Sequence, residues 1–125
     1  QMGYSLRRLL HDLGSTSLPP TSAALQEITF PAGWALAAAV WAIDPEQTLI
    51  AYLWSWCENQ VMAALKAVPL GQTAGQRLLL GLGACLPAIA RAAVVLPEEC
   101  WSNLAPGFAL ASSRHETQYA RLFRS

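Results

Sequence analysis

Few side chains in this sequence could do chemistry, and they are scattered. There are two histidines, His11 and His115, three cysteines, Cys57, Cys85 and Cys100, and a Ser112-Ser113 pair near His115. His115-Glu116 matches the opening of a zinc-protease HExxH, in which two histidines one helical turn apart hold the metal and the glutamate is the base. Tyr119 stands where the second histidine is needed, so that chemistry is excluded. No cysteine pair has ligand spacing, and a structural zinc site needs three or four convergent ligands. No intrinsic metal site is expected, and His115 is the weak candidate for a metal contact. Ser113 and His115 lack the strand-turn-helix elbow that presents a catalytic serine, and Ser113 reads as a helix cap. Gly71 to Gly75 and Gly81-Leu82-Gly83 form neither a GxxxxGK[ST] phosphate loop nor a strand-preceded GxGxxG. These residues point to a chain that is not an enzyme and binds no cofactor alone.

Composition narrows the partners. Eight basic and eight acidic residues balance, which removes the electrostatic signature of a nucleic-acid or anionic-membrane binder. The 54% hydrophobic content in 125 residues is ample for one domain, taken as 1–125. It is also more apolar surface than so small a core covers, so an oligomer or a complex is expected. The uncharged run from Ile28 to Ile43 stops at Asp44-Pro45, short of the roughly 20 residues that cross a bilayer. No signal-peptide pattern opens the chain, and the odd, widely spaced cysteines suit reduced thiols packed as small hydrophobes. The cytoplasm is the expected compartment. The chain opens at Gln1 in helical sequence without a cap and reads as a piece of something longer.

The elements that must position these residues are helices throughout. Leu6, Leu9, Leu10 and Leu13 recur at i, i+3, i+4 and i+7, one face of an amphipathic helix ended by Gly14. A loop over 15–21, holding Pro19-Pro20, and a short helical stretch from Ala23 to Glu27 follow. Pro31 suits the first turn of an Ala-rich helix running to about Ala42. Asp44-Pro45-Glu46-Gln47 is a start signal for a long central helix over about 46–68. Its apolar residues (Ile50, Leu53, Trp54, Cys57, Val61, Leu65 and Val68 on one side, Leu49, Tyr52, Trp56 and Ala63 on another) leave a narrow polar strip with Ser55, Asn59 and Lys66. Such a helix serves two neighbours. Pro69-Leu70-Gly71 breaks it, and Thr73 with Gln76 forms a capping-box pattern for a helix over about 74–95, kinked or broken near Gly83 to Pro87. Pro97-Glu98-Glu99 starts another short helix. Ser113 to Glu116 repeats the capping-box pattern ahead of a terminal helix with His115, Tyr119, Leu122 and Phe123 on one side and Arg114, Arg121 and Arg124 on another. No alternation of period two appears, and the fold expected is an all-α bundle of five to seven helices.

Charge placement marks three positions. Lys66 in the last turn of the long helix complements its dipole. Arg77, near the start of the next, stands at the wrong end for a cation and calls for a carboxylate, in this chain or across an interface. The basic face of the terminal helix is suited to docking on a partner.

Two long strings carry a family resemblance. The stretch 60–79, QVMAALKAVPLGQTAGQRLL, and the ending 111–125, ASSRHETQYARLFRS, resemble the urease accessory protein UreF family, as do Met2 to Leu6 and Pro31 to Asp44. Family members are longer at the N-terminal side, and they often have glycine where this chain has Ala35 and Ala42; Trp34 and Trp41 are bulky for that segment. The resemblance implies a helical, non-catalytic adaptor that dimerises and binds the accessory protein UreD (UreH), recruits the GTPase UreG, and so promotes GTP-dependent nickel insertion into apo-urease. Nickel and GTP would then be handled by the complex. It also implies roles for residues. Lys66 is the candidate contact on the GTPase side. The tail over 112–125, with Arg114, His115, Glu116, Tyr119, Arg121, Phe123 and Arg124, is the candidate for UreD docking. Gln72, Thr73, Gln76 and Arg77 would support the turn or the dimer. The competing expectation is a metallochaperone that carries nickel itself through histidine or cysteine.

Overall fold

The computed structural model describes residues 2–13, 28–102 and 105–115. Five α-helices account for most of them: α1 (Met2–Asp12), α2 (Phe30–Val40), α3 (Pro45–Ala67), α4 (Gln72–Val94) and α5 (Pro106–His115), with one 3-10 turn at Glu98–Cys100. The fold is all-α, and there is no strand among the described residues. The expected stop at Gly14, the loop over 15–21 and the stretch from Ala23 to Glu27 lie outside the described residues.

Only part of the leucine stripe of α1 finds a partner. Leu10 is fully buried and Leu6 half-buried, whereas Leu9 and Leu13 are exposed. The close approach is made by glycine and alanine. Gly3 lies against the backbone of Ile28 and Thr29, where a Cβ would collide with main-chain atoms, and Gly33 of α2 faces Leu6. Gly33, Ala37 and Ala38 are the buried residues of α2, so the small side chains of this segment let α1 approach.

The start of α2 is capped by Thr29, whose hydroxyl accepts from the amide of Ala32 at 3.4 Å. It was expected to reach Ala42 and stops at Val40. The reason is a Schellman ending: the Ile43 amide donates to the Ala38 carbonyl at 2.8 Å and the Ala42 amide to the Ala39 carbonyl at 3.2 Å. That geometry needs a left-handed residue, and Ala42 supplies it with φ 52°.

Asp44 starts α3 as its sequence signal requires. Its carboxylate accepts from the amides of Glu46 at 2.9 Å and Gln47 at 3.3 Å, and Pro45 spares an amide that would go unbonded. Helices α3 and α4 form an antiparallel hairpin whose core is Cys57, Val61, Leu79 and Leu86, flanked by Leu53 and Leu65. Gly75 sits under Leu65 and Gly83 under Trp54, and a Cβ at either would come within 2.8 Å of that side chain, which would have to shift. At the far end Arg91 reaches Glu46, 3.3 Å away, so the last turn of one helix is tied to the first turn of the other in the sense that both dipoles favour.

Two expectations for α4 are corrected. It begins at Gln72 with Gly71 as its cap residue and has no side-chain capping bond, so Thr73 and Gln76 do not form a capping box; the helix has already started when Thr73 is reached. Of the kink or break expected near Gly83 to Pro87, the break does not occur, since α4 is one continuous helix through Pro87. A single missing amide is tolerated here within a 23-residue helix whose other hydrogen bonds and packing hold on both sides.

Helix α1 packs on α2, α2 on α3 and α3 on α4, and α5 packs on no other described helix. The prediction that the long apolar helix serves two neighbours holds for α3.

Candidate docking surfaces

The joint between α2 and α3 is aromatic. Phe30, Trp34 and Tyr52 meet with ring centroids 5.8 to 6.1 Å apart, and the Trp34 indole donates to the Thr48 carbonyl at 3.2 Å. Trp34, conspicuous for its bulk in an Ala-rich segment, is therefore the anchor of this joint. The sequence carries its signal in the i, i+4 spacing of Phe30 and Trp34, but nothing in the sequence pairs them with Tyr52.

Lys66, Gln72, Thr73, Gln76 and Arg77 are brought together at one end of the α3–α4 hairpin. All five are exposed. The connection is short: the Val68 amide caps the Ala64 carbonyl at 2.9 Å and the Leu70 amide turns back to the Val68 carbonyl at 2.6 Å. Val68 and Leu70 stand at the tip, both exposed. With α4 starting at Gln72, Arg77 falls in its second turn, beyond the part of the helix where the dipole penalises a cation. The anticipated partner carboxylate is not in this chain's described part: Arg77 makes no hydrogen bond, ion pair or ring contact there.

The expected tail is only partly described. Ser113 lies inside α5, which Pro106 opens, and its hydroxyl donates to the Leu110 carbonyl at 2.8 Å. It is not a helix cap. Arg114 is exposed in the last turn of the same helix, which His115 ends. Glu116, Tyr119, Arg121, Phe123 and Arg124 lie outside the described residues. Phe108 and Leu110 of α5 are exposed, Phe108 at 71%.

Of the cysteines only Cys57 packs as a small hydrophobe; Cys85 and Cys100 are exposed, contrary to expectation. The Cys85 thiol donates to the Gly81 carbonyl at 3.6 Å. Among the described residues no three of His, Cys, Asp and Glu converge as metal ligands.

Apolar surface is the dominant feature. An open groove of ≈ 560 Å³ runs between α3 and α4, lined by Ile50, Trp54, Leu80 and Leu86 among others, and Leu80 is 72% exposed. By length and composition α4 alone among the described helices could cross a membrane. The run weighed for this from the sequence, Ile28 to Ile43, yields only the 11-residue α2. Only 17% of the apolar window of α4 is buried, so most of that helix lacks a cover.

Residues 1–83 match the family model described as UreF. The chain belongs to the UreF family. It is 63% identical over its whole length to the urease accessory protein UreF of Azoarcus sp. (strain BH72), 56% to that of Dechloromonas aromatica (strain RCB) and 47% to that of Methylobacillus flagellatus. The chain spans about half the length of these relatives, 55 to 56% of each. No solved structure matches it. The UreF name denotes an accessory protein rather than an enzyme.

Proposed function

We propose that this chain is the part of a UreF protein that acts as an assembly adaptor in urease maturation. With UreD (UreH) and the GTPase UreG it promotes GTP-dependent nickel insertion into apo-urease in the cytoplasm. The observation that carries the proposal is UreF membership joined to an apolar surface that the described residues do not cover: among them α4 is bare along most of its length and α5 packs on no other helix. An adaptor hides such surface against its partners. On this reading Lys66, at the hairpin end, contacts the GTPase side, and the tail from Ser112 to Ser125 docks on UreD, with Arg121 and Arg124 making charge-assisted hydrogen bonds. Nickel is cargo of the complex, and a second copy of the chain covers part of the remaining apolar face.

Pull-down of UreD and UreG with this chain, beside the full-length Azoarcus relative, tests the proposal. Capture of UreD, and of UreG in its presence, is expected. If the full-length protein captures both and this chain neither, the half-length adaptor reading is sunk.

A further inference from the structure

Six basic residues fall within the described part of the chain, and five of them are engaged. Arg8 pairs with Asp12, Arg91 with Glu46, Arg7 stands over the Tyr4 ring, and Lys66 and Arg114 each have a polar or ring partner. Arg77 has none. Nor does its neighbourhood in sequence offer one, since from Asn59 to Pro97 there is no aspartate or glutamate, while Lys66, Arg77 and Arg91 all lie in that stretch.

The surroundings of Arg77 are those of an uncovered contact face. One turn further along α4 come Leu80, the most exposed leucine of the helix at 72%, and Gly81, around which a Cβ would meet nothing within 4 Å. Residues 77, 80, 81 and 84 share one side of a helix by their spacing. Val68 and Leu70 at the tip of the same hairpin are exposed as well. A guanidinium next to bare leucine, with small residues behind, accepts a carboxylate and an apolar side chain from the same partner element; Arg is the side chain most suited to such bidentate recognition.

We infer that Arg77 and Leu80 of α4, both exposed, form a docking surface for an acidic, apolar segment of a protein partner, in which a partner carboxylate pairs with Arg77. The inference rests on the adaptor reading and adds the chemistry of one contact. The occupant is a different protein rather than a nucleic acid, because a phosphate backbone is held by many cations and this face offers one with bare leucine beside it.

The test measures binding of UreG and of UreD to this chain for the wild type, Arg77→Glu, Arg77→Lys and Arg77→Gln, with a thermal melt of each and light scattering to give the oligomeric state. Arg77 has no partner to lose among the described residues, so all four should melt alike. Charge reversal is expected to weaken one of the two partners by about tenfold or more, Arg77→Lys by only about threefold. The wild-type interaction should also weaken between about 50 mM and about 500 mM salt. Binding of both partners that Arg77→Glu leaves intact overturns this inference alone. A wild-type chain that binds neither sinks it together with the adaptor reading. If Arg77→Glu leaves capture unchanged but dissolves a dimer, the face belongs to a second copy, and the inference of a different protein is overturned.

Discussion

Ala42 shows how much one backbone angle can carry. It holds the left-handed position of the Schellman ending that turns the chain from α2 into α3, a conformation that costs a residue with a Cβ about 1–2 kcal/mol. Glycine removes that cost while giving up a little chain entropy, so Ala42→Gly should stabilise the protein by roughly 1 kcal/mol and raise its Tm by about 3–6 °C. A melting temperature that falls instead would mean that the methyl group packs. The position was visible in the sequence only as an alanine where the family resemblance implies glycine; the need for a positive φ came from the hydrogen bonds. The capping signals were legible unevenly for a related reason. Asp44 works as a cap because Pro45 directly after it fixes the first helical residue. Thr73 and Ser113 carry the same local pattern but sit inside helices that Gly71 and Pro106 had already opened, and a capping motif means nothing once the amides behind it are bonded.

The α3–α4 hairpin was the most legible element. Apolar periodicity gave both long helices and the Pro69–Gly71 break, with boundaries off by no more than two residues. Pairing across the hairpin was not legible, because periodicity assigns a face without naming what meets it. The glycines under Leu65 and Trp54 and the link from Arg91 to Glu46 set the register. That link is exposed on the arginine side, 60% against 34% for the glutamate, so its coupling is modest. A double-mutant cycle with Arg91→Ala and Glu46→Ala should return a coupling of about 0.2–1 kcal/mol that shrinks with added salt. A salt-independent coupling of several kcal/mol would point to a desolvated pair that the geometry does not contain. At the other end of the hairpin the candidate residues were correctly gathered by sequence, since a short turn holds Lys66 and Arg77 near each other whatever the fold around them.

For the molecule as a whole, the fold class and family were legible and the arrangement of the helices was not. Composition announced an apolar surplus without assigning it to a helix, and α4 is the bare one. The cysteines misled, since an apolar setting in sequence does not by itself bury Cys85. The 112–125 tail, on which partner docking was placed, lies mostly beyond the described residues, and its part in binding rests on the proposal above.

Each of the first four helices touches only those next to it in the chain, α1 on α2, α2 on α3, α3 on α4. Such a succession behaves like a short stack of repeats, in which stability is held locally and passes only between nearest neighbours. Opening need not be all-or-none. The α1–α2 end buries one large side chain, Leu10, with the small Ala37 and Ala38, whereas α3–α4 shares a core of Cys57, Val61, Leu79 and Leu86, so the first pair should exchange its amide hydrogens well before the second. Hydrogen exchange that protects all four helices equally would show instead that the chain unfolds as a single cooperative unit. If the pairs do open separately, a partner that grips the α3–α4 end can be held firmly while the α1–α2 end still breathes.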